Sequence, residues 1–160
     1  MDSEPIRTEA LMRVSDILRV KGNALCTASP DSSLRSAVEM MATNDIGSVV
    51  IMERGALVGM LTFREVIKTL HANHGVLGDG SVRAVMDAQP FTVTPHTDVN
   101  EVRRVMLERH TRYLPVLDGA TLAGVISFYD VARAVLEEQG YENEQLKAYI
   151  QDWRPATEGV

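Results

Sequence analysis

The sequence predicts an α+β fold made of two copies of a β-α-β-β-α unit, packed sheet to sheet with pseudo-two-fold symmetry. Three observations predict it. Displaced against itself by 65 positions, the chain lays residues 26–70 over 91–135 without a gap, and such self-similarity marks a duplicated structural unit. Thr27-Ala-Ser-Pro30 then meets Thr92-Val-Thr-Pro95, and Leu57-Val-Gly-Met-Leu-Thr-Phe63 meets Leu122-Ala-Gly-Val-Ile-Ser-Phe128. Only seven of the 45 aligned positions are identical, but most others keep their apolar or polar character. Finally, one unit alone would leave an apolar sheet face in water, and a second unit covers it.

The elements follow in order. Residues 1–13 read as an N-terminal extension. Val14–Leu18 and Val82–Met86 look like matching short turns leading into each unit, and the first copy carries three more residues between turn and strand. A short strand then ends at Pro30 or Pro95, because a proline ring removes a ladder donor. Leu34, Ala37, Val38 and Met41 recur at helical spacing, as do Val99, Val102, Val105 and Met106. Val49–Met52 and Leu114–Leu117 are apolar runs that predict buried strands. Turns around Arg54-Gly55 and Asp118-Gly119 return the chain into Leu57–Leu61 and Leu122–Ile126. Second helices are predicted over Arg64–Leu70 and Tyr129–Leu136. The polar, glycine-rich stretch 71–81 reads as a linker. The predicted organisation is therefore an extension at 1–13, a first unit at 14–75, a second at 76–138, and a C-terminal helix and tail at 139–160, the helix falling on 141–153.

Composition narrows the function. The 160 residues are 45% hydrophobic and 24% charged, the balance of a globular protein and not of a disordered chain, a collagen or a coiled coil. Aromatics are 5%, so the core is predicted to be aliphatic. The single cysteine, Cys26, cannot form an internal disulfide and points to a reducing compartment; it aligns with Phe91, which predicts a buried strand position. A net charge of -6 argues against nucleic acid as a partner. No apolar run approaches membrane-spanning length, and the acidic Met1-Asp-Ser-Glu-Pro5 start is not a secretory signal. The expectation is a cytoplasmic protein without membrane contact. His71 and His74 lack accompanying cysteines, so no metal site is expected. No phosphate-loop, nucleophile-elbow or zinc pattern is present, which predicts a non-enzyme.

Two junctions carry candidate chemistry. Thr62/Glu65 and Ser127/Asp130 each place a hydroxyl three residues before an acid, where a strand passes into a helix. One reading is a helix cap, the acidic version of a capping box. The other is a ligand site: helix-start amides favour an anion, and an ionised carboxylate accepts from ribose hydroxyls.

Taken in order, Val14-Ser-Asp-Ile-Leu18 with Lys21-Gly22, Asp45-Ile-Gly-Ser-Val-Val50, Val85-Met86, Thr94-Pro95, Thr111-Arg-Tyr-Leu-Pro-Val116 and Gly124-Val-Ile-Ser-Phe-Tyr-Asp130 resemble a tandem pair of CBS (cystathionine β-synthase-type) motifs. Such a pair is a Bateman module, here similar to the small stand-alone bacterial type, and the resemblance covers roughly residues 14–136. It implies regulatory, non-catalytic binding of an adenosyl ligand such as AMP, ADP, ATP, NAD(H) or S-adenosylmethionine between the motifs. It also implies a homodimer, an unidentified protein target and no required cofactor. Each cleft of such a module takes its hydroxyl and acid from one motif, and from the other the segment before its first strand and the start of its second strand. The main nucleotide site implied is Asn23, Ala24, Ile46, Gly47, Val125, Ser127 and Asp130, with Arg112 for phosphate and Tyr113 beside it. Taken alone, Ile46 and Val125 each read more readily as core than as ligand contacts. Thr62, Glu65 and Thr111 form the second, weaker cleft, because related modules usually carry Asp where Glu65 stands. The alternative is an interaction or scaffold protein with vestigial nucleotide clefts, which Glu65 and the absence of proline at Val50 support.

Overall fold

In the computed structural model, which describes residues 12–22 and 25–140, the sequence repeat is a repeat in space. The first unit contains α1 (Val14–Lys21), β1 (Thr27–Ala28), α2 (Leu34–Asn44), β2 (Ser48–Glu53), β3 (Ala56–Thr62) and α3 (Phe63–Ala72). A 3-10 turn at Val82–Ala84 opens the second, followed by α4 (Val99–Arg109), β4 (Tyr113–Asp118), β5 (Thr121–Ser127) and α5 (Phe128–Gly140). The helix expected over 141–153 lies outside the described residues. Among those described, no helix is long and apolar enough to cross a membrane.

Local chemistry sets the element ends. Ser33 Oγ accepts from the Ser36 amide at 3.1 Å to start α2, and Asp98 Oδ1 accepts from the Asn100 amide at 2.7 Å to start α4. Both helices end on a left-handed residue, Asp45 and His110. Replacing Asp98 with alanine is expected to lower the unfolding free energy by about 0.5–2 kcal/mol, the usual cost of a lost cap; urea denaturation checks it. The first hairpin turns on Arg54 and Gly55, both at positive φ, the backbone that matches strand twist. The second turns on Gly119-Ala120, one residue later than expected, between the paired Asp118 and Thr121.

The sheets differ. β1, β2 and β3 form a three-stranded sheet with β1 parallel to β2, whereas β4 and β5 stand as a pair. The strand expected to end at Pro95 is reduced to a single parallel bridge from Val93 to Val116. Pro115 is the reason. In the first unit the Val50 amide donates to Cys26 O at 3.2 Å; proline at the equivalent position has no N–H to give Phe91.

The lead-in segments exchange partners. The Val14 amide donates to Thr97 O at 3.0 Å, and the Val82 amide to Ser32 O at 2.8 Å. Ser15 N–H reaches Pro95 O at 2.9 Å, and Arg83 N–H reaches Pro30 O at 2.8 Å. Bridges Arg13–Asp98 and Ser33–Ser81 repeat the same relation. Val14 and Ile17 therefore pack in one core with Val99, Val102, Leu114 and Ile126, while Val82 packs in the other with Leu34, Met41, Val49 and Leu61. The two cores are mostly aliphatic, and each contains a piece of the other repeat. The sequence boundaries at 14–75 and 76–138 thus follow the duplication and not the packing.

The two lead-in segments are not matching turns. The first is an eight-residue helix because the Arg13 amide donates to Asp16 Oδ2 at 2.8 Å. Ala84 occupies the equivalent place in the second and offers no acceptor, so that segment stops after one 3-10 turn.

Candidate functional site

A cavity of about 600 Å³ opens between the units beside the junction of β3 and α3. Thr62 and Glu65 stand at its first-unit edge, and Thr111, Arg112 and Tyr113 bring the start of β4 from the second unit. Phe63 and Phe128, 49% and 41% exposed, supply flat apolar surface together with Phe91. Arg64, His110 and Arg112 give the cavity a basic side. Arg64 donates through Nη2 to the carbonyl of His110, tying the start of α3 to the end of α4 across the cavity. The Arg112 guanidinium is exposed and forms no ion pair among the described residues.

Both junctions form caps. The Thr62 amide and hydroxyl each donate to Glu65 Oε1 at 2.8 Å. The extra methylene of Glu65 folds its carboxylate back onto the cap, and only one of its oxygens is used there. At the other junction the Ser127 amide donates to Asp130 Oδ2 at 2.9 Å, and the Asp130 amide to Ser127 Oγ at 3.1 Å. Capping does not consume a carboxylate, which offers about four lone-pair sites.

The Ser127/Asp130 side is filled by the protein itself. Lys21 Nζ donates to Asp130 Oδ2 at 2.7 Å and to Val125 O at 2.8 Å. Leu18, one turn earlier on α1, lies over Gly124, where a β-carbon would come within 2.8 Å of Leu18 Cδ2. Asn23 and Ala24 lie outside the described residues. Ile46 is half-buried against the first core. Gly47 has a packing reason: a β-carbon there would stand 2.6 Å from the Tyr113 ring and 2.7 Å from the Phe63 ring.

Arg112 and Tyr113, grouped in the sequence reading with Ser127/Asp130, line the same cavity as Thr62, Glu65 and Thr111. The crossed arrangement explains this: β4 opens from the second unit, so its start faces the first unit's hydroxyl–acid pair. Arg104 pairs with Glu101 and Glu108 on the surface of α4, whereas the Arg109 guanidinium sits 4.4 Å from the Phe91 ring centre. Phe91 is 38% exposed and Cys26 is half-buried ahead of β1, so neither occupies the buried strand position expected for them.

Sequence reasoning missed the three rings, Arg64 and Lys21. Phe63 and Phe128 carried a signal, being an identical pair of large apolar residues at helix starts. For Lys21 the signal was the three-residue excess of the first copy.

The sequence matches the CBS domain family over residues 14–72 and again over 82–137. The CBS domain-containing protein CBSX3, mitochondrial, of Arabidopsis thaliana is 30% identical over 149 residues, covering 86% of this chain and 71% of that protein. The CBS-domain protein ATU1752 of Agrobacterium tumefaciens superposes with a TM-score of 0.73 at 28% identity, over 78% of this chain and 99% of that one. The CBS domain pair of protein MJ0100, solved with 5-methylthioadenosine and S-adenosyl-L-methionine, shares the fold at a TM-score of 0.71 and 22% identity, over 80% and 98%.

Proposed function

We propose that this chain, which belongs to the CBS-domain family, is a non-catalytic regulatory module that binds an adenosyl ligand in the cleft at Thr62/Glu65. The observation that carries this reading is the cavity itself, open between the two repeats and lined in three chemical sectors. Phe63, Phe91 and Phe128 offer flat apolar contact for a base, the usual wall of a small-ligand pocket. Thr62 and the free oxygen of Glu65 suit ribose hydroxyls. Arg112 and Arg64 suit a phosphate, which a guanidinium recognises through paired donors. The MJ0100 pair lends support of a general kind, since that protein of the same fold was solved with adenosyl compounds. AMP, ADP, ATP and NAD(H) fit the basic side best. Binding regulates only if the ligand prefers one of two arrangements of the motifs, and the target is another protein.

A homodimer belongs to this reading. Ile67 on α3 and Tyr129 and Leu136 on α5 are exposed apolar side chains at repeat-related helices, and two copies would cover them. A cytoplasmic location agrees with the lone cysteine, which has no internal disulfide partner.

A second reading, an interaction protein with vestigial clefts, gains one structural observation in its favour: both acids already have protein partners. Thermal unfolding with AMP, ADP, ATP, NAD and S-adenosylmethionine separates the two. A ligand that binds only the folded chain raises the midpoint in proportion to the logarithm of its concentration. A rise that keeps growing with the logarithm of concentration is expected with at least one of them. No rise with any at millimolar concentration would overturn the adenosyl reading and leave the scaffold.

A further inference from the structure

We propose that Lys21 is a latch that occupies the Ser127/Asp130 cleft and makes the two clefts unequal, one open and one closed from within. Repeat-related junctions meet different neighbours. Beside Thr62/Glu65 the lead-in segment ends as a single 3-10 turn at Ala84, and the following Asp87, Pro90 and Phe91 line an open cavity. Beside Ser127/Asp130 the lead-in segment continues as α1 to Lys21 before Gly22, at a φ of 86°, ends it. The position equivalent to Lys21 is Gln89, which carries no charge.

The ammonium takes two acceptors at the Ser127/Asp130 junction. Asp130 Oδ2 and Val125 O are 2.7 and 2.8 Å from Nζ. The Asp130 side chain is 15% exposed and that of Lys21 35%, so the pair is partly shielded from water and from salt. Leu18 and Lys21 lie three residues apart, on one helix face, and both press on β5: Leu18 over Gly124, Lys21 over Val125. The same helix is anchored by Val14 and Ile17 in the core with Ile126. Opening the cleft therefore means lifting the last turn of α1 while its first turn stays fixed. A ligand that reaches Asp130 must displace the ammonium, and its apparent affinity falls by the fraction of time the latch is shut.

The test has a ligand-free arm and a ligand arm. The chain has three lysines, Lys21, Lys68 and Lys147, and Lys68 is exposed. Under brief acetic anhydride labelling read by mass spectrometry, Lys21 is expected to react several-fold more slowly than Lys68, and Asp130→Asn to remove most of that difference. Equal rates in the wild type, or a difference untouched by Asp130→Asn, would overturn the latch. In the second arm, which rests on the adenosyl reading, AMP is titrated calorimetrically into wild type and Lys21→Met, which keeps the apolar stem and removes the charge. One equivalent per wild-type chain and two per variant chain are expected. Two equivalents in the wild type, or one in both, would overturn the latch. Binding to neither protein would sink the adenosyl reading instead, and the labelling rates then decide the latch alone.

Discussion

Ile126→Ala is expected to lower the free energy of unfolding by about 2–5 kcal/mol, the cost of a large-to-small change in a core that cannot fully collapse. Ile126 is fully buried in β5 opposite Leu114, among side chains from α1, α4 and α5. Its repeat partner Leu61 is equally buried in the other core, and Leu61→Ala is expected to cost a similar amount. The two lie in separate apolar clusters, so their costs should add to within a few tenths of a kcal/mol. Domains of this kind are stable by only about 5–15 kcal/mol, so the double variant should lose most of its stability. Urea denaturation of the three proteins measures this. A loss under about 1 kcal/mol at either position, or a single variant that unfolds only half the chain, would contradict two cores joined by exchanged segments.

Arg112→Ala is expected to weaken AMP binding by about 1.5–3 kcal/mol, the range for a hydrogen bond to a charged group, or roughly 10- to 150-fold. Adenosine, which has no phosphate, should lose little. The contrast matters more than either number. The backbone carbonyl of Arg112 accepts from the Phe128 amide at 2.8 Å, a bond that alanine keeps, so the junction itself should survive. Calorimetric titration with both ligands reads the effect. Equal losses for AMP and adenosine would mean that the cleft had deformed, and no loss for AMP would remove Arg112 from the phosphate side.

Much of this fold is legible in the sequence because its signals are local. Helical spacing at Leu34–Met41 and at Val99–Met106, and the Arg54-Gly55 turn, depend on residues a few positions apart. Pro115 was equally visible, but its effect on Phe91 appears only once the parallel pairing of Val93 with Val116 is known. The exchange of lead-in segments was not legible, since Val14 finds its acceptor at Thr97 and no period spans that distance. The same holds for Lys21 and Asp130, 109 positions apart. Periodicity reports which face of an element is apolar, not which remote charge reaches it. Cap and ligand readings of Thr62/Glu65 and Ser127/Asp130 stayed open in the sequence because both use the same atoms, and the structure shows the cap formed in each.

Resonance mapping on uniformly nitrogen-15-labelled protein during an AMP titration tests the central claim most directly. The account predicts saturable shifts at the amides of Thr62, Phe63, Glu65, Phe91, Thr111 and Tyr113, with those of Ser127 and Asp130 nearly still. Shifts confined to residues 125–130 and the end of α1, or none at all, would contradict it.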